Sequence, residues 1–218
     1  MAIILFDFDG VLADTLDDLL SFAWKVCAQL GFPRDPTPAD LDVLETMSFV
    51  DYGRQLKLPA QYIDAFVSQC LQMFNQRSRP PEIFEGMGQV ITKAARDNNT
   101  IAIVTGNTTP TVEGFLKENN LCEYIKLIIG VEQKGTRPEK IERALRELRQ
   151  GEEAAYMVGD AVSDIRAARE ISIKSIAVGW GHQSPSRLLT AEPDYLVDSP
   201  QELLELLKKI QNNEKRSK

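Results

Sequence analysis

Asp7 and Asp9 stand directly behind a short apolar run, Ala2-Ile3-Ile4-Leu5-Phe6. Two carboxylates confined at one strand end repel each other unless a proton or a cation intervenes. A hard divalent cation with oxygen ligands meets that need, and magnesium suits a site that also takes phosphate. The other use of such a pair is in a turn or a helix cap. The pattern recurs at Gly159-Asp160-Ala161-Val162-Ser163-Asp164, behind Ala154–Val158. There Asp160 is a candidate metal ligand. Asp164 is a further ligand, a group that positions water or lysine, or simply an acid in the first turn of a helix, where the dipole favours it. Thr105-Gly106-Asn107 follows Ile101–Val104. A hydroxyl and neighbouring backbone amides at a strand end suit phosphate oxygens, so Thr105 and Gly106 are phosphate-binding candidates, although the same composition makes ordinary turns. Lys134 and Arg137 follow Ile125–Ile129. Either cation could offset phosphate charge, and either could face solvent.

Each feature alone has a bland reading. Their combination is more telling, because four successive strand-like segments deliver metal or phosphate chemistry at the same end. The elements that would do this are apolar runs without alternation at 2–6, 100–104, 125–129, 154–158 and 175–178, with helical patterns between them. That rhythm predicts an α/β fold, a Rossmann-like, mostly parallel sheet sandwiched by helices and joined by right-handed crossovers. Ligand sites in such sheets lie at the carboxyl ends of strands. Residues 16–80 break the rhythm with three helical patterns, Leu16–Leu30, Pro38–Leu56 and Ala60–Gln76. This predicts an all-helical insert after the first strand, its two junctions close together. Residues 1–15 and 81–211 then form one core domain. Asp194–Val197 reads as a short edge strand, Pro200–Ile210 as an amphipathic helix, and 212–218 as a flexible polar tail.

The 218-residue chain carries a net charge of -7. That balance argues against nucleic acid as a main partner but leaves room for a small phosphate ester. No run of about 18 apolar residues spans a membrane. Cys27, Cys70 and Cys122 are widely spaced and odd in number, and read as reduced, mostly buried thiols. With no basic residue before the first apolar run, a cytoplasmic location is expected. His182 is the one histidine, too few for a zinc cluster, and reads as structural or exposed. Trp24 and Phe22 read as core of the helical insert. Arg54 reads as a surface arginine, with contact to a substrate carboxylate as the sharper alternative.

The run Asp7-Phe8-Asp9-Gly10-Val11-Leu12-Ala13-Asp14-Thr15, together with Thr105, a cation within Lys134–Arg137 and Gly159-Asp160-Ala161-Val162-Ser163-Asp164-Ile165-Arg166-Ala167-Ala168, resembles the haloacid dehalogenase-like superfamily. The likeness is to its phosphatases, with the phosphoglycolate phosphatase-like subgroup nearest. It implies Asp7 as nucleophile, forming an aspartyl-phosphate, and Asp9 as the acid and then the base. It implies magnesium held by Asp7, the backbone carbonyl of Asp9 and Asp160, with Asp164 in support, and a phosphate oxygen on Thr105. The insert at 16–80 resembles the family's helical cap, which closes over the site and chooses the substrate. The third motif departs from the usual Lys-Pro-x-Pro, since the chain reads Lys134-Gly135-Thr136-Arg137-Pro138. Pro138 is expected at the first helical position. Lys134 is the favoured cation, brought in by loop slack, with Arg137 as the alternate. The aspartate at position 9 favours phosphate transfer over carbon–halogen cleavage. The expected function is a magnesium-dependent phosphatase on a small phosphorylated metabolite such as 2-phosphoglycolate, working as a monomer or homodimer. Sugar-phosphate or nucleotide phosphatase, pyrophosphatase and β-phosphoglucomutase are alternatives of the same chemistry, and a non-catalytic binding protein is the alternative of another class.

Overall fold

The computed structural model describes residues 1–77, 79–149 and 154–216. Strand β1 (Ala2–Phe6) leads through a two-residue strand, β2 (Ala13–Asp14), into α1 (Leu16–Gln29), α2 (Pro38–Asp42) and α3 (Phe49–Gln55). A 3-10 turn at Ala60–Tyr62 precedes α4 (Ile63–Asn75), and β3 (Glu82–Ile83) returns the chain to the core. From there α5 (Met87–Arg96), β4 (Thr100–Val104), α6 (Thr109–Glu118), β5 (Ile125–Ile129), α7 (Arg137–Leu148) and β6 (Ala154–Gly159) follow in turn. The chain ends with α8 (Val162–Glu170), β7 (Lys174–Val178), α9 (Pro185–Leu189), β8 (Tyr195–Val197) and α10 (Pro200–Arg216).

The main sheet has six strands in the order β5-β4-β1-β6-β7-β8, and every pairing is parallel. Successive side chains of a strand point to opposite faces. Ile4 and Phe6 of β1 therefore join Ile103 and Val158 in a core covered by α5, α6 and α10. Ile3 and Leu5 join Ala102 and Met157 under α7 and α8. Both faces are buried, which is why the strands read as unbroken apolar runs. Each fully buried Ile, Leu or Phe contributes about 1.5–3 kcal/mol. The central place of β1, between β4 and β6, puts Asp7 and Asp9 in the middle of the sheet's carboxyl edge.

Helices α1 to α4 bury a separate apolar cluster that includes Ala23, Leu41, Tyr52, Phe66 and Cys70. The segment leaves and re-enters the core side by side, because β2 and β3 pair antiparallel, Ala13 opposite Ile83. The helix expected over Pro38–Leu56 is two helices. The hydroxyls of Thr46 and Ser48 both bond the Asp51 carboxylate, and Ser48 Oγ accepts from Asp51 N at 3.1 Å as the N-cap of α3. Such side chains compete with the helix for backbone groups and place a break where apolar spacing alone shows none. Phe22 packs edge-on against Phe74, but Trp24 is 51% exposed and not a core residue.

Helix α10 runs on to Arg216, through most of the 212–218 segment expected as a polar tail. Leu203, Leu207 and Ile210 anchor its earlier turns, and Gln211 donates to the Asp97 carbonyl. A polar sequence then continues a helix already held in place. Gln150, Ser217 and Lys218 lie outside the described residues.

Phe8, fully buried between the two aspartates, meets Phe115 edge to face with ring centroids 4.9 Å apart. Replacing Phe115 by alanine is expected to cost about 3–5 kcal/mol of unfolding free energy in a denaturant titration. A loss below about 1 kcal/mol would show that this ring does not anchor the loop.

Candidate active site

The loop after β1 is pinned at both sides. Asp7 N donates to the Val158 carbonyl at 2.9 Å, and the Phe8 carbonyl accepts from Leu12 N and Ala13 N at 2.9 and 3.0 Å. Gly10 has a positive φ of 75°, and a Cβ there would lie 2.0 Å from Asp160 Oδ2. Only glycine allows both that backbone and the approach of Asp160. The loop thus brings the ends of β1 and β6 into contact.

Asp7, Asp160 and Asp164 each offer an oxygen, and these oxygens lie within 4.8 Å of one another. Asp160 and Asp164 are buried. Asp164 Oδ2 is buried without a hydrogen-bond partner. Burial pushes the Asp7 carboxyl up to about 8; Arg137 opposes the rise, and Asp164, Asp160 and Asp9 add to it. Asp164 is raised too, again mainly by burial and against Arg137. A buried all-oxygen set with an orphaned carboxylate oxygen and excess negative charge fits a hard divalent cation such as magnesium. Asp9 does not share this arrangement. Its carboxylate turns to Asn107, whose Nδ2 donates to Asp9 Oδ2 at 3.2 Å. Burial holds its carboxyl above the ordinary value, against the pull of His182, Asn107, Arg77 and Thr15. Among the four aspartates named from sequence, the side chain of Asp9 is the one outside the metal-type group, which leaves its backbone carbonyl as the ligand implied by the family likeness.

The cation at the site is Arg137, not Lys134. Arg137 Nη2 lies 2.7 Å from Asp7 Oδ2 and 2.5 Å from Asp164 Oδ1. Lys134 is exposed in the loop before α7. The cause is the helix start. Thr136 is the N-cap, closing a capping box with Glu139, so Arg137 takes the first helical position and Pro138 the second. A capped first turn has a fixed direction, and the slack that would have brought in Lys134 is absent. A second cation, Lys140, is buried one turn later and bonds the carbonyls of Gly130 at 2.8 Å and Thr105 at 3.3 Å. It ties the carboxyl ends of β4 and β5 together. Burial lowers its ammonium group's pKa, with the nearby Arg137 adding to the effect.

Thr105 is buried at the end of β4, its Oγ1 accepting from Asn107 N at 2.9 Å, so the hydroxyl proton can point elsewhere. Gly106 lines the same cavity. His182 is neither exposed nor remote. Its Nδ1 lies 3.1 Å from Asp160 Oδ2, its backbone N–H donates to that oxygen at 2.8 Å, and its Nε2 is 3.2 Å from Thr15 Oγ1. Burial works to lower the imidazole's pKa, but the carboxylates of Asp160, Asp9 and Asp7 outweigh it, and the ring sits above its ordinary value. His182 therefore orients Asp160. A glycine loop behind β7, the strand next to β6, was the sequence signal for it.

The helical segment lies over these residues and borders a half-open cavity of about 480 Å³. Gln183 joins the two parts. Its Nε2 lies 2.9 Å from the Leu44 carbonyl and 3.2 Å from that of Leu41, while its Oε1 accepts from Val162 N at 2.8 Å. Arg187 adds an ion pair to Glu45 at 2.6 Å, and Arg166 pairs with the same carboxylate. Arg54 stays outside the cavity, its side chain 68% exposed and paired with Asp51.

The haloacid dehalogenase-like hydrolase family matches residues 4–178 of the chain. A phosphoglycolate phosphatase of Synechococcus elongatus is 27% identical over 215 residues, covering 96% of this chain and 99% of that one. Pyrophosphatase PpaX of Bacillus mycoides is 26% identical over 212 residues, covering 95% and 97%. A haloacid dehalogenase-like family hydrolase from Streptococcus pneumoniae superposes with a TM-score of 0.82 at 22% identity, covering 94% of this chain and 98% of that one, a likeness of fold. With the family match extending from β1 to β7 and the matching acids gathered at one sheet edge, the chain belongs to the haloacid dehalogenase-like hydrolases.

Proposed function

We propose that the chain is a magnesium-dependent phosphatase acting on a small phosphorylated metabolite through an aspartyl-phosphate on Asp7, with residues 16–80 as its cap domain. The observation that carries this is the division between two aspartates two residues apart. Asp7 lies against Arg137 in the acidic triad, and Asp9 turns its carboxyl away to Asn107. In this reading Asp7 attacks and Asp9 moves the proton.

In the first step an Asp7 oxygen bonds to phosphorus and the bond from phosphorus to the ester oxygen breaks. Protonated Asp9 gives its proton to that leaving oxygen, which departs as an alcohol. In the second step Asp9 takes a proton from water, the water oxygen bonds to phosphorus, and the Asp7–phosphorus bond breaks to release phosphate. Arg137 holds Asp7 in place and offsets its charge as the phosphate dianion approaches. Thr105 Oγ1 and the backbone at Gly106 receive phosphoryl oxygens. Magnesium on Asp7, Asp160, Asp164 and the Asp9 carbonyl would supply further neutralisation of the transferring group. The names of the relatives bring 2-phosphoglycolate and pyrophosphate forward as substrates. The free thiols of Cys27, Cys70 and Cys122 suit a cytoplasmic setting, and among the described residues no helix is long and apolar enough to cross a membrane.

Phosphate release from a hydrolysed ester should require added magnesium, cease with a chelator and return when the metal is restored. Asp7→Asn should lower kcat on the order of 10⁴-fold or more. Release that survives both treatments would refute this assignment. Calorimetric titration of Asp160→Asn should show magnesium affinity reduced by at least about 10-fold. Arg137→Met should cost about 10²–10³ in kcat, while Lys134→Ala stays within about twofold. Equal losses in the two variants would return the role to the lysine.

A further inference from the structure

Asn107 is fixed by three hydrogen bonds before its amide nitrogen is counted. Its backbone N–H donates to Thr105 Oγ1 at 2.9 Å, and its carbonyl accepts from Val131 N at 2.8 Å. Its side-chain Oδ1 accepts at 2.9 Å from the N–H of Thr108, the N-cap of α6. The two ends of a carboxamide differ, one accepting and the other donating. Because Thr108 N is a donor, the end it meets is the oxygen. Nδ2 is then the end turned to Asp9, 3.2 Å from Oδ2 and 3.5 Å from Oδ1. Neither step of the hydrolysis set out above uses Asn107, although it lines the cavity with Asp7, Asp9, Thr105 and Gly106.

Nδ2 donates and cannot accept. It engages lone pairs of the Asp9 carboxyl and sets the direction of that group without competing for its proton. The other neighbours of Asp9 do this less well. Thr15 also bonds the carboxyl, but its hydroxyl can turn, donates or accepts, and is shared with His182 Nε2 at 3.2 Å. Arg77 and His182 act on Asp9 by charge, which has little direction. Asp9 stands two residues from Asp7. Without an anchor its carboxyl is free to turn toward the group of Asp7, Asp160 and Asp164, away from a leaving oxygen.

From this fixed amide facing the Asp9 carboxyl, we propose that Asn107 is a positioning residue that aims Asp9 at the leaving oxygen. This rests on the phosphatase reading of the same site. As an Asp7 oxygen bonds to phosphorus and the bond from phosphorus to the ester oxygen breaks, the Asp9 proton passes to that oxygen. Asn107 neither gives nor takes a proton in the step. Its contribution is an acid already in place when the bond breaks. That contribution depends on the leaving group, because an alkoxide leaves only with a proton and a nitrophenolate is stable without one.

The test compares benzyl phosphate with 4-nitrophenyl phosphate, with magnesium present. The two share the phosphoryl group and an aromatic body, and differ in the leaving group's need for a proton. The readout is the ratio of their kcat/KM values. It covers the steps up to departure of the alcohol or phenol and excludes the later hydrolysis of the aspartyl-phosphate, in which Asp9 serves both esters alike. Asn107→Ala should lower kcat/KM for benzyl phosphate at least about 10-fold more than for 4-nitrophenyl phosphate. Asn107→Asp keeps the acceptor for Thr108 N and replaces the donor facing Asp9, so it carries the test if the alanine variant does not fold, and the ratio should fall at least as far. In an Asp9→Asn background, Asn107→Ala should shift the ratio no further, because two residues acting through one proton do not add their effects. An unchanged ratio in the single variants, whatever the absolute losses, overturns the proposal, since a phosphate contact or a fold contact would weigh on both esters equally. A further shift in the Asp9→Asn background overturns it as well. If the unaltered protein hydrolyses 4-nitrophenyl phosphate but not benzyl phosphate, the phosphatase reading stands and the proposal is overturned, because Asp9 then delivers no useful proton. If neither ester is hydrolysed, the phosphatase reading itself fails and the proposal falls with it.

Discussion

Three carboxylates meet at the carboxyl edge of this sheet with their oxygens within 4.8 Å of one another, and one guanidinium lies among them. Two unit charges about 4 Å apart repel by roughly 4 kcal/mol at an effective dielectric constant of about 20. Arg137 offsets one such charge and leaves an excess. The rest of the arrangement follows from managing that excess. Gly10 lets Asp160 close on the β1 loop, His182 fixes the direction of Asp160, and Lys140 ties the ends of β4 and β5 together. A cation bound to the folded site and not to the unfolded chain would stabilise the fold by mass action as well as serve the chemistry.

The sheet was legible because its strands are buried on both faces, and unbroken apolar runs such as Ala2–Phe6 and Thr100–Val104 have few other uses. The acids at strand ends were legible for the same reason, since a parallel sheet collects its carboxyl ends. What escaped the sequence depended on local hydrogen bonding. Thr136 and Glu139 form a capping box that decides which of two nearby cations faces Asp7, and a one-residue difference in helix start separates the two outcomes. Thr46 and Ser48 break a helix that apolar spacing would continue. His182 was one histidine in a glycine loop, and its partners, Asp160 and Thr15, are 22 and 167 residues away in sequence. Lys140 reads as one charge among many along α7 until the strands beneath it are in place.

The acids and Arg137 stand at the sheet's carboxyl edge, and the opposing wall of the cavity comes from helices α1 to α4. The two parts are joined at the paired β2 and β3 strands, at the amide of Gln183, and at the contacts of Ser184 with Asp42 and of Arg187 and Arg166 with Glu45. Gln183 binds Val162 N at the start of α8, two residues from Asp164, and the carbonyls of Leu41 and Leu44 beside the cavity. One side chain thus touches both the start of the helix that carries Asp164 and the wall of the cavity. Movement of the helices away from the core must break these bonds or shift the start of α8 with them.

The register of β1 also bears on how the chain folds. Ile3 pairs with Thr100 on one side and Ala155 on the other, so the strand leading to Asp7 is made long before its second partner. At a ribosome adding about 5–20 residues per second, roughly 8–30 s separate its synthesis from that of its second partner. Through that interval Ala2–Phe6 is an apolar segment without its sheet, open to the wrong edge. Helices α1 to α4, which need only their own neighbours, can form meanwhile and fold before the strand that precedes them.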